Sequence, residues 1–131
     1  MAKTACKIIG IVLLLLGLVG FFSHNLLGLH LTTIHNIIHL VTGALALYLG
    51  FTGTTKATHL FCQIFGVVYL LVGLLGFISP ATVESVLQVQ TTTESANLML
   101  DNIVHLLLGA VFLVLGFLRE PHATPSESNV R

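Results

Sequence analysis

Four apolar runs, at about 4–23, 33–51, 59–79 and 98–118, constrain this chain more than any other feature. A helix needs roughly 20 residues to cross a hydrocarbon core of about 30 Å, so each run has the length of a membrane span. The breaks between them read SHNLLGLHLTT, TGTTKAT and PATVESVLQVQTTTESAN, built from the Ser, Thr, Asn, Gly and Pro of loops. Period-two alternation, the mark of a membrane barrel strand, is absent, which leaves helices as the spanning structure. The composition agrees. Only 8% of residues are charged and 55% are apolar, too little charge to coat a water-soluble domain. The formal net charge of zero gives no electrostatic footprint for a nucleic acid, so the expected surroundings are the lipid bilayer.

The basic residues set a direction. Lys3 and Lys7 precede the first run, Lys56 lies between the second and third, and Arg119 and Arg131 follow the fourth. With four spans all five fall on one side, which the positive-inside rule makes the cytoplasm. Lys3 and Lys7 ahead of an apolar run also suit a signal peptide, but that run is long and lacks an A-x-A cleavage site, so it is expected to stay as a span. The polar tail at 119–131 contains two prolines and is expected to be disordered.

The chain also repeats itself. GIVLLLLGLVGFFS (Gly10–Ser23) matches GVVYLLVGLLGFIS (Gly66–Ser79), and the same offset carries Cys6 onto Cys62. HNIIHLVTGALALYLGF (His35–Phe51) matches DNIVHLLLGAVFLVLGF (Asp101–Phe117). Two helical hairpins, at about 4–53 and 57–118, then enter the membrane in the same direction, the parallel kind of repeat. The predicted fold is all-α: one integral membrane four-helix bundle over residues 1–118. Glycines seven apart on every run (Gly10/Gly17, Gly43/Gly50, Gly66/Gly73, Gly109/Gly116) predict close helix contact within it. Cys6 and Cys62 are expected to be small apolar fillers near the membrane surface.

The informative polar residues open the second and fourth runs. His35 stands four residues before His39, and Asp101 four before His105, so each pair shares a helix face. Asn36 and Asn102 lie three residues before a His, within reach of an imidazole. Three readings remain open. The leading one is structural: Asn and His hydrogen-bond each other and nearby backbone, tying the hairpins together at modest strength. The second is tetrapyrrole ligation, with His39 and His105 holding a haem or one His a chlorophyll magnesium, and Asn36 or Asn102 supporting the ring. The third is a divalent transition-metal site made of His35, His39, Asp101 and His105. His24 and His30, in the first outer loop, are expected to be polar spacers. No phosphate loop, nucleophile elbow or H-E-x-x-H occurs, so no catalytic activity is expected.

The paired pattern N-x-[IV]-H-L-x-x-G, in Asn36–Gly43 and Asn102–Gly109 with LLGLxGF upstream, resembles a bacterial family of small four-helix membrane proteins classed as a domain of unknown function. The resemblance covers roughly 8–118. It implies four helices and a bacterial inner-membrane address, and brings no activity. The function expected from these features is that of a small accessory or structural membrane protein with no cofactor, packing with itself or with a larger membrane complex.

Overall fold

The computed structural model describes residues 1–88 and 98–118; the tail at 119–131 and the second half of the loop at 80–97 lie outside the described residues. Four long helices are present: α1 (Ala2–Gly20), α2 (Thr33–Thr52), α3 (Thr55–Ile78) and, last in the chain, α5 (Met99–Phe117). Each contains an apolar stretch long enough to cross a membrane, with mean hydropathy between 1.5 and 2.3. The protein is a multi-pass membrane protein with a helical-bundle fold. Thr54 starts α3 by accepting a hydrogen bond from the Ala57 amide at 3.1 Å, a side-chain cap for an amide that has no partner within the helix.

The helices are inverted relative to a water-soluble bundle. Leu15, Leu45, Leu71 and Leu107 point outward, whereas glycine, histidine, asparagine and threonine share the interior with a small apolar cluster around Phe61, Tyr69 and Phe112. In lipid, apolar side chains gain nothing by hiding, and close backbone packing supplies the association energy. The glycines provide that closeness. A Cβ on Gly10 would stand 2.9 Å from the Gly43 carbonyl oxygen, and one on Gly43 would meet the Gly10 carbonyl at the same distance. Gly109 repeats the contact against the Gly66 carbonyl, again at 2.9 Å. The internal duplication is therefore matched in the packing of α1 with α2 and of α3 with α5. These two pairs fit together far more closely than either fits the other.

The repeat axis can be located. Cys6 and Cys62, fully buried and repeat-related, place their sulfurs 3.5 Å apart as free thiols. Beyond filling space, they form the contact at which the two hairpins touch on that side.

The connections hold more structure than their composition suggests. Asn25–Leu26 (β1) pairs antiparallel with Leu29–His30 (β2). Leu27 and Gly28 between them both have positive φ, 55° and 87°, the two-residue hairpin turn that matches strand twist. A short fifth helix, α4 (Pro80–Leu87), occupies part of the second outer connection, where a loop was expected. Pro80 sits in its first turn, and Val83 and Leu87, four apart, are buried. That one-turn apolar pair is too short a pattern to separate from a loop by periodicity. Thr32 joins these parts, donating its hydroxyl hydrogen to the Leu87 carbonyl and accepting from the His35 amide at 3.3 Å.

Candidate functional site

Where the hairpins are held apart, polar residues meet. His35 and His39 project from the first turns of α2, and His105 from α5; all three are buried. Their ligand-capable nitrogens lie within 4.8 Å of one another. The His35 ring centroid is 4.3 Å from that of His39 and 5.3 Å from that of His105. Tyr69 of α3 stacks on His105 at 5.6 Å.

Backbone carbonyls fix two of these rings. His35 Nδ1 lies 2.8 Å from the His30 carbonyl oxygen, and His105 Nδ1 lies 2.6 Å from that of Asp101. A carbonyl only accepts, so both Nδ1 atoms carry hydrogen, and each neutral ring keeps its lone pair on Nε2. His35 Nε2 and His39 Nδ1 are buried without a hydrogen-bond partner among the described residues, while the Tyr69 hydroxyl lies beside that of Thr42. Buried polar atoms are ordinarily satisfied. Two such nitrogens at one cluster mark a site.

Asp101 is brought close but turned away. Its carboxylate accepts from the His30 backbone amide at 3.0 Å and from His30 Nδ1 at 2.8 Å. The four candidate metal ligands thus divide: three imidazoles converge, and the carboxylate anchors the β1–β2 hairpin. His30, expected to be a spacer, serves both repeat-related positions, offering its carbonyl to His35 and its two N–H groups to Asp101. The signal was present in the sequence: a carboxylate on an apolar helix needs a donor, and His30 is a histidine at the same end.

The asparagines also face elsewhere. Asn36 Nδ2 donates to the Leu31 carbonyl at 3.1 Å. Its amide fills the notch left by Gly20, where a Cβ would overlap it; Gly76 leaves the same notch for Asn102. Asn36 thus supports the loop leading into α2, rather than an imidazole.

Two pockets flank the imidazoles, one on each side of the repeat axis. The first is lined by Leu13, Leu16, Asp101, Val104 and Leu108, with Leu29 and Leu31 above. The second, larger one places Tyr69, Val72, Ile38 and Thr42 at positions repeat-related to Leu13, Leu16, Val104 and Leu108, under Val86 and Leu87 of α4. His35, His39, His105 and Tyr69 line both. No pattern along the chain marks Tyr69 as a site residue, because the matching position in the first hairpin is the apolar Leu13.

A family model described as a domain of unknown function (DUF4383) matches residues 3–118. The chain belongs to this family. The match takes in all four long helices, both pockets and every residue of the imidazole cluster. No curated protein and no solved structure matches the chain. Membership in this family brings no activity with it, so function has to be argued from the buried site.

Proposed function

We propose that this membrane protein binds a divalent transition metal, Zn²⁺ or Fe²⁺, through His35, His39 and His105. The observation that carries the reading is the convergence of three buried imidazole nitrogens within 4.8 Å, with partnerless atoms among them. Tetrahedral ligation at about 2.0–2.1 Å sets nitrogens roughly 3.4 Å apart, within reach of small side-chain rotations. Hydrogen bonds from Nδ1 to a carbonyl are the usual support of a metal-binding histidine, since they fix the tautomer and aim the ring. His35 and His105 have that support. Three neutral nitrogens leave a fourth position for a ligand from outside the chain.

A purely structural network accounts for the backbone hydrogen bonds of His35, His105 and Asn36 but leaves His35 Nε2 and His39 Nδ1 without a role, which a metal supplies. Haem or chlorophyll on His39 and His105 is also less well supported. A macrocycle between those rings would have to pass His35, which lies against both. The accessory role in a larger membrane complex rests on the apolar content, the glycine-lined helices and the lack of catalytic motifs, and is compatible with a metal site. For its address we propose the bacterial inner membrane, as the family resemblance implies, with cytoplasmic termini on the strength of the one-sided basic residues.

Metal analysis of the purified full chain tests the reading. We expect one Zn²⁺ or Fe²⁺ per chain, lost in His35→Ala, His39→Ala and His105→Ala but kept in His59→Ala. Equal metal content in the cluster variants and the wild type would refute it, as would a metal-free wild type after incubation with either ion.

A further inference from the structure

The larger pocket shows what the fourth ligand would be. A divalent ion held by three neutral imidazoles carries its full charge into an apolar interior, which is costly unless an anion joins it. Asp101, the carboxylate closest to the cluster, is engaged by His30. Among the described residues no other carboxylate lines either pocket, and the larger one is open to an anion from outside the chain. Its route is constrained by the pocket walls. Ile38, Val68 and Val86 form a rim exposed on the outer surfaces of α2, α3 and α4, while Phe65 and Val72 line the interior. Apart from the hydroxyls of Thr42 and Tyr69, the groups lining this pocket ahead of the imidazoles are apolar. A hydrated inorganic ion is poorly suited to such a passage. An amphiphile already dissolved in the bilayer is well suited.

We infer that the site takes a single-chain carboxylate amphiphile, of the fatty-acid class, entering sideways from the lipid. This rests on the metal reading above. One carboxylate oxygen completes the ligand set, and the Tyr69 hydroxyl donates to the other. The apolar chain lies between α2 and α3 under α4. The repeat comparison explains why this pocket is used rather than its twin. Tyr69 and Thr42 stand where the first pocket has Leu13 and Leu108; Tyr69 borders both pockets, and the Thr42 hydroxyl lines the larger one alone. The buried Tyr69 hydroxyl lies beside that of Thr42, so the two present donors at the same wall of the pocket.

The test uses the full chain in nanodiscs loaded with Co²⁺, whose visible absorption reports its ligands. Metal content is measured first, and decanoate is then titrated in parallel with acetate. Decanoate should perturb the Co²⁺ bands at a concentration at least about tenfold lower than acetate, because its chain is buried as its head binds. In Val72→Trp, whose indole fills the pocket, that advantage should vanish while Co²⁺ content holds. Ile38→Phe, at the rim, takes its place if Val72→Trp loses metal. Co²⁺ bound with decanoate no better than acetate overturns the inference and leaves the metal site standing. An advantage undiminished in the blocked variant does the same, since it would reflect enrichment in the bilayer. A chain that binds no Co²⁺ overturns the metal reading, and this inference with it.

Discussion

At the scale of single residues, the glycine–asparagine notches decide how the hairpins close. Gly20 and Gly76 each leave room for the amide of an asparagine on the next long helix. A methyl group at either position forces a side chain or a backbone to shift, and such overpacking typically costs about 1–3 kcal/mol. Gly20→Ala is therefore expected to destabilise the protein by that amount in the wild-type background. It should be nearly neutral beside Asn36→Ala, where the space is free. Equilibrium unfolding of the four members of this cycle in detergent measures the coupling; purely additive effects would rule out the notch. The sequence made both asparagines visible as candidates, but their direction was not legible. Asn36 lies three residues before His39 and one after His35, and helical spacing permits a contact with either ring or with α1. The small size of Gly20, on a different helix, selects the contact.

At the scale of the elements, pairing is uneven: α1 with α2 and α3 with α5 are tight, and the hairpins meet more loosely. That looseness leaves the two pockets open while Cys6 and Cys62 touch on the side of the termini. A thiol oxidant such as diamide, which takes up two electrons and two protons as the S–S bond forms, should link these cysteines within one chain. Non-reducing electrophoresis should show a faster-moving monomer that is absent from Cys6→Ser and from Cys62→Ser. Only intermolecular dimers, or no product at all, would contradict the arrangement of hairpins. The long helices were legible because twenty apolar residues in lipid have few alternatives. The short helix α4 was not, since two buried residues four apart among polar neighbours carry too weak a pattern. Its burial under Thr32 is a tertiary contact.

At the scale of the whole molecule, an even number of spans brings the amino terminus and Lys56 to one face and the β1–β2 hairpin to the other. Single cysteines at Lys56→Cys and Leu27→Cys, in a Cys6→Ala/Cys62→Ala background, test this in intact cells. An impermeant maleimide should label position 27 and spare position 56 until the membrane is opened. Equal labelling of both positions before permeabilisation would break the four-span arrangement. The reverse pattern would keep the spans and invert the proposed orientation. The duplication also has a consequence at this scale. It creates two equivalent flanks around one imidazole cluster, and Tyr69 and Thr42 on one, against Leu13 and Leu108 on the other, make them chemically different.

The sequence by itself determined the spans, the repeat and the end of the bundle that carries the histidines. Each of these follows from the need to hide backbone polarity within the hydrocarbon, and that need acts on every residue in order along the chain. Which imidazoles meet was decided only in three dimensions. Asp101 and His35 occupy equivalent places in the repeat, yet one turns to His30 and the other to the centre, because a single loop residue offers N–H groups to the first and a carbonyl to the second. That choice depends on where the β1–β2 hairpin folds back over α5. The contact joins positions 30 and 101, and no local pattern encodes it.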